Sequence, residues 1–348
     1  MKKQIIKVLR CHKKVKIYSN RVHISIVSLY LYIYFLSEDF KLIESINLTK
    51  KYGDVTALEN VSFKAERGVL GVCGARGAGK SSLLAIIAGA LPYSSGELTV
   101  NGDATTKKSC GYLMEENPMF SDMTVSEFLV FIGESKKIPY EKLYRQIKEV
   151  IDLCELDEIK DMPISALKTG DKKMVGIAST LLGNPQMIVL DEPFAGMTRR
   201  ELPTAKAIIK MLGEIKTVVL SSSFPTDISD VCSDLILLSS GKLVACDSVE
   251  NLSAAVCDIP AFELTLTKNI EKTLSDLVSV DGVSECIVLP DSTKTASHIK
   301  IVCDDRSDMK EAILDVLKAN DASVSDVSTT QLTLDDLCVS LDNAQEDK

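Results

Sequence analysis

The sequence predicts an α/β fold with a sheet core, followed by a small α+β unit. Three observations carry this. The apolar run Val69–Cys73 leads into a glycine-rich loop and then an apolar stretch of helical character. A second apolar run, Met187–Leu190, ends in the acidic pair Asp191-Glu192. From residue 262 onward, strand-like alternation and helix-like spacing follow one another in the order β-α-β-β-α-β.

Length and composition agree with that division. The chain has 348 residues, 45% hydrophobic and 26% charged, with no Trp. This suits about two self-supporting domains and excludes a multi-span membrane protein. The net charge of −9 argues against nucleic acid as a partner. The charge is uneven: residues 1–41 carry a net +7, residues 42–258 a net −6 and residues 259–348 a net −10. The ten cysteines are scattered and form no C-x-x-C pair, which reads as reduced thiols in a cytosolic protein.

The first zone pairs a basic segment, residues 2–21, with the apolar run 22–36. That run is shorter than the ~20 residues of a spanning helix. Three readings stay open: an upstream extension outside the working domain, a membrane-associating helix, or a secretion signal. The first would place the true start near Leu42.

Gly74-Ala75-Arg76-Gly77-Ala78-Gly79-Lys80-Ser81 is a complete G-x-x-x-x-G-K-S motif, with Ser82 opening the apolar stretch that runs to Ala90. Its glycines let successive backbone N–H groups curl around phosphate oxygens at a helix N-terminus, where the dipole favours anions. Lys80 then reaches the β- and γ-phosphates, and the Ser81 hydroxyl holds Mg²⁺. In the second motif, Asp191 supports Mg²⁺ at the C-terminal end of a buried strand. Glu192 is the candidate base for an attacking water. The expected ligands are therefore the phosphates of a nucleotide and Mg²⁺.

These two motifs, with Gly74 and Asp191 117 positions apart, resemble the ATP-binding cassette domain of ABC transporters across residues 42–258. Leu48–Gly53 is similar to the segment whose aromatic ring stacks on adenine, which implies that role for Tyr52. Ala57–Phe63, Ser95–Leu98 with Asn101-Gly102, and Ser239–Leu243 resemble further family segments. The resemblance implies a P-loop NTPase fold, a mixed sheet core plus a helical subdomain. It also implies a dimer in which each ATP lies between one chain's phosphate loop and the other's signature loop.

Four positions depart from the family pattern. The signature falls at Leu167–Asp171, where only Leu167 and Gly170 match and Lys168 replaces the serine that contacts the partner's ATP. Glu115 stands where a Gln normally meets Mg²⁺ and water, and a carboxylate can take that place. Thr198 replaces an Asp that crosses the dimer interface. Ser223 stands at the position of the switch histidine, and residues 24–297 contain no histidine at all. A hydroxyl can bond a phosphate but carries no imidazole charge or proton. The resemblance thus implies retained Mg-ATP binding with slowed hydrolysis.

In the last zone, residues 262–267, 283–289 and 298–302 read as strands, and 269–278 and 309–317 as helices. The pattern suggests a ferredoxin-like unit. It resembles the domain that follows the cassette in exporters with a separate permease, and Leu332–Leu337 is similar to their closing motif. His298 reads as surface or packing rather than a metal ligand.

The function expected from all this is an ATP-binding subunit, an ATP hydrolase of the ABC type. It would act as a homo- or heterodimer of cassettes, peripheral on the inner face of the membrane, driving a separate permease, with export favoured. Met119 and Phe120 are candidate permease contacts or, equally, subdomain packing. The alternatives are a barely hydrolysing regulatory subunit and a soluble ABC ATPase of the DNA-repair or translation type. The latter is disfavoured by the acidic charge and the single cassette.

Overall fold

The computed structural model describes residues 43–65, 68–100, 110–257, 259–289, 292, 296–304 and 309–346. The N-terminal basic and apolar segment and the Asn101-Gly102 turn lie outside them. Residues 40–348 form one compact unit.

The unit begins with three antiparallel strands, β1 (Ile43–Tyr52), β2 (Val55–Ala65) and, later in the chain, β4 (Ser95–Val100), in the order β2-β1-β4. The main sheet contains β3 (Val69–Cys73), β5 (Cys110–Leu113), β6 (Met187–Leu190), β7 (Thr217–Ser222), β8 (Asp234–Ser239) and β9 (Lys242–Ser248). Their order is β5-β6-β7-β3-β8-β9, parallel except for β9. Helix α1 (Lys80–Ile87) leaves β3 through the glycine loop.

The strands of the main sheet alternate between two cores. Val69, Ile188, Leu190, Val218, Leu220, Leu235 and Leu237 face the helical side. Leu70, Val72, Met187, Val189, Val219, Ile236 and Leu238 face α1 and the antiparallel sheet. A strand buried on both faces reads as an unbroken apolar run, as Met187–Leu190 does.

The helical subdomain is α2 (Val125–Ser135), α3 (Tyr140–Leu153) and α4 (Thr169–Leu181). Thr124 starts α2 with a capping box: its hydroxyl accepts the Glu127 amide (3.2 Å), and the Glu127 carboxylate accepts the Thr124 amide (2.8 Å). At the other end of α4, Lys136 donates to the carbonyls of Ser179, Thr180 and Leu182 at 2.9, 3.3 and 3.0 Å. It serves carbonyls that a helix terminus leaves without intrahelical partners. Helices α5 (Leu202–Gly213) and α6 (Val249–Cys257) complete this larger part.

The C-terminal part runs β10 (Pro260–Leu266), α7 (Ile270–Val278), β11 (Val283–Val288), β12 (Ser297–Cys303), α8 (Met309–Ala319), β13 (Val324–Gln331) and α9 (Leu334–Glu346). The antiparallel order β11-β12-β10-β13 places the first and third strands at the centre, as in a ferredoxin-like unit. Its own core contains Phe262, Leu264, Ile299, Ile301, Ile313 and Leu317. The last strand has no residues assigned to it from the sequence, and α9 begins inside the Leu332–Leu337 closing motif. Helix α9 lies against β11, β8, α6 and the turn Pro225–Asp227, so it joins this part to the cassette. Leu334 and Cys338 of α9 extend the cassette's helical-side core, together with Leu332, Ile287 and Val302.

Candidate functional site

The loop 74–79 curls tightly between β3 and α1 because glycine holds two positions no other residue fits. Gly79 has φ +99°, and a Cβ there would lie 2.5 Å from the Ala57 carbonyl oxygen. Gly74, at φ +150°, would bring a Cβ within 2.2 Å of the Leu238 carbonyl oxygen. The helix starts at Lys80 rather than at Ser82, so Lys80 and Ser81 occupy its first turn. The amides of that turn therefore open toward the loop.

Lys80 is buried, and its Nζ donates to the carbonyls of Gly74 (2.7 Å) and Ala75 (2.9 Å) and to Ser223 Oγ (3.3 Å). The same ammonium lies 3.5 Å from Glu192 Oε1. Ser223 in turn donates to Glu192 Oε1 at 2.8 Å. The three groups form a closed triangle: Lys80 at the start of α1, Ser223 just beyond β7 and Glu192 just beyond β6.

Asp191 is buried at the end of β6 and accepts the Ser221 hydroxyl at 2.6 Å. Ser221 Oγ also accepts the Glu192 amide at 2.8 Å. One hydroxyl therefore fixes both the aspartate side chain and the backbone entering the next residue. Glu192 has φ +46°, a left-handed conformation uncommon for a non-glycine residue, held here by that bond. Beside this strand end, partial burial and then the Asp191 charge push the Tyr112 phenol up to about 12.

A cleft of about 670 Å³ opens over the loop. Of the sequence candidates, Ala75, Arg76, Gly77, Gly79, Lys80, Ser81, Ser82, Glu115, Glu192 and Ser223 line it. Gly74, Ala78 and Asp191 are buried beneath it. Tyr52 is about half exposed beside it, its hydroxyl 3.3 Å from Ser82 Oγ and Lys50 Nζ 4.8 Å from its ring centroid.

Lys168 and Gly170 do not line the cleft. Lys168 is the exposed N-cap residue of α4, without a side-chain capping bond. A Cβ on Gly170 would meet the Glu201 carboxylate at 2.2 Å, and one on Gly196 would meet Thr169 Cγ2 at 2.6 Å. The start of α4 is thus packed on the turn that follows Glu192. Glu201 also accepts the Thr198 amide at 2.7 Å, which holds its carboxyl below the ordinary range.

Sequence reasoning missed Ser221, Phe194, Asp227 and Lys173. Ser221 sits in the serine run at the end of β7, beside the residue singled out there. Phe194 and Asp227 line the cleft without a motif to mark them. Lys173 donates to the Glu115 carbonyl at 2.8 Å and fixes the backbone of that loop. Partial burial and then the Asp335 charge hold the Asp227 carboxyl above the usual carboxylate range. No group of three or more His, Cys, Asp or Glu side chains is gathered to hold a metal among the described residues, and His298 lies within β12.

A phosphate-type loop at a helix N-terminus, with a buried acidic strand end two strands away in a parallel sheet, is the arrangement of P-loop nucleotide-binding proteins. Residues 58–195 match the family model described as ABC transporter. An uncharacterized ABC transporter ATP-binding protein of Methanocaldococcus jannaschii is 31% identical over 208 residues, 59% of this chain and 77% of the relative. The linearmycin resistance ATP-binding protein of Bacillus subtilis is 25% identical over 273 residues, 75% of this chain and 88% of the relative. That match is longer than the cassette alone. The dimeric structure of a bacterial ABC transporter cassette superimposes with a TM-score of 0.54 at 22% identity, covering 60% of this chain and 98% of that one. The chain belongs to the ABC transporter family, as an ATP-binding cassette protein.

Proposed function

We propose that this protein binds Mg-ATP in the cleft over Gly74–Ser82 and hydrolyses it slowly, in a cassette dimer that drives a separate membrane permease. The observation that carries the reading is the closed triangle of Lys80, Ser223 and Glu192 at the mouth of an intact phosphate loop. The binding parts are complete. The group that would carry a mobile proton beside Glu192 is a serine.

The donor set fits a magnesium ion. Ser81 offers a hydroxyl, and Asp191 and Glu115 offer carboxylates, the hard oxygen ligands this ion prefers. When bound there, the ion supplies charge neutralisation for the β- and γ-phosphates. The loop amides and Lys80 hold the phosphates, and Lys80 exchanges its carbonyl partners for phosphate oxygens. Glu192 orients and accepts a proton from the attacking water, while Ser221 keeps Asp191 and the Glu192 backbone in place. Tyr52 covers the base from the rim.

In the dimer, Lys168 and Gly170 face the partner's nucleotide. A lysine there is a flexible point charge without a hydroxyl's short, fixed geometry. Thr198 stands on the turn that packs against the start of α4. The cassette itself carries no mark of transport direction. Export is favoured by the C-terminal ferredoxin-like part, and the protein then sits on the inner face of the membrane. Phe120, half exposed and edge-on to Phe131 at 5.0 Å, is the permease contact. Met119 packs into the helical subdomain.

The missing imidazole also favours a second reading, a regulatory subunit of a heteromeric complex with little hydrolysis of its own. One experiment separates these readings: ATP affinity and turnover of the full chain, with and without a co-expressed permease. Lys80→Ala is expected to weaken ATP binding at least 100-fold, and Glu192→Gln to remove turnover while keeping binding. ATP binding that survives Lys80→Ala sinks the site. Turnover as fast as an intact cassette, and abolished by Glu192→Gln, sinks the impairment.

A further inference from the structure

Asp335, at the start of α9, reaches out of the C-terminal part and into the cassette. One carboxylate oxygen accepts the Thr226 amide at 2.9 Å, and the other accepts the Thr226 hydroxyl. Thr226 lies in the turn Pro225–Asp227 directly after β7, three residues beyond Ser223. Its neighbours Phe224 and Asp227 line the cleft. The donor residue Thr226 and the cleft wall thus belong to one short piece of backbone.

The helix that presents Asp335 is fixed on both sides. The next residue, Asp336, pairs with Lys300 of β12 at 2.6 Å and accepts the Thr333 amide at 2.8 Å. Ser340 donates to Glu285 of β11 at 2.7 Å. Leu334 and Cys338 are buried in the core shared with the cassette. A two-point contact to amide and hydroxyl of a single residue sets orientation as well as distance. Thr226 is exposed, so the bond adds little to global stability. Its effect is local placement.

We propose that Asp335 is a positioning residue for the nucleotide site. It pins the Pro225–Asp227 turn, and through it the register of Ser223 against Glu192, so that the C-terminal part governs turnover rather than nucleotide affinity. This rests on the reading of the cleft given above.

The test uses the full-length protein and compares Asp335→Ala, Thr226→Val, the double variant and Thr226→Ser. Turnover, ATP affinity and amide hydrogen exchange across residues 221–228 are measured for each. Asp335→Ala should lower kcat at least fivefold, leave KM and ATP affinity within twofold, and raise exchange in that segment. Thr226→Ser keeps the hydroxyl and should behave as the parent. The double variant should be no worse than Asp335→Ala alone, since both remove one link. An unchanged kcat with raised exchange overturns the proposal. A readout independent of turnover is the protection that saturating Mg-ATP confers on 221–228. It should be lost in Asp335→Ala and kept in Thr226→Ser, and equal protection in all variants also overturns the proposal. Lys80→Ala separates the two failures: ATP binding that survives it sinks the cleft reading itself. If binding is lost but Asp335→Ala has no effect, only the positioning role falls.

Discussion

Ser223 Oγ donates to Glu192 Oε1 at 2.8 Å while accepting from Lys80 Nζ at 3.3 Å. A neutral hydroxyl therefore bridges the candidate base and the phosphate-binding ammonium. It can orient Glu192, but it adds no charge when a phosphate leaves. A single positioned donor in such a site is worth about 10²–10³ in rate.

Replacing this residue is accordingly expected to raise activity. Ser223→His should increase kcat at least about tenfold, with ATP affinity within threefold of the parent. Ser223→Ala should lower kcat further and leave affinity similar. Steady-state turnover with equilibrium nucleotide binding checks both. A histidine variant no faster than the parent would place the limitation elsewhere.

Lys168 provides a separate measurement because its side chain caps nothing and lines no part of its own chain's cleft. Lys168→Ser should leave ATP binding by the isolated chain unchanged and raise turnover only where two cassettes associate. The check is turnover as a function of protein concentration. A change in ATP affinity at high dilution would contradict the assignment to the partner's site.

The Lys300–Asp336 pair is buried, with side-chain exposures of 6% and 9%. Removing one partner strands a buried charge, at a cost of about 3–5 kcal/mol. Asp336→Ala should lower the denaturation midpoint strongly, all the more because Asp336 also caps α9 through Thr333. Lys300→Met combined with Asp336→Ala should recover part of the loss. Denaturant unfolding of Asp336→Ala, Lys300→Met and the double variant decides it, and equal losses in single and double variants would refute the pairing argument.

Lys136 holds three carbonyls at the end of α4. Lys136→Met keeps most of the stem and removes those bonds, for an expected loss of about 1 kcal/mol. Lys136→Arg should lose less. Thermal denaturation reads the difference, and an unperturbed methionine variant would mean that water serves these carbonyls equally well.

The phosphate loop was legible because all its chemistry is contiguous: Val69 to Ile87 form one strand–loop–helix. The alternation of Phe262–Leu266 and the spacing of Met309, Ile313 and Leu317 were legible for the same reason. Ser221 was not, because its tie to Asp191 exists only once β6 and β7 lie side by side, joining residues 30 apart. The link between Asp335 and Thr226 spans 109 residues and follows no periodicity. Lys80 was read as a phosphate ligand, but its present partners across the cleft depend on where β7 places Ser223. Local pattern gives the elements and the loop. Cross-strand and cross-domain contacts decide what each carboxylate touches.

The apolar face of α9 has a practical consequence. Leu332, Leu334 and Cys338 are buried in the same core as Val218, Leu235 and Leu237 of the main sheet. A fragment cut after residue 258 would bare that patch to water, inviting aggregation rather than yielding a tidy minimal cassette. Chimeras that exchange cassettes between chains should therefore keep the tail with its own sheet.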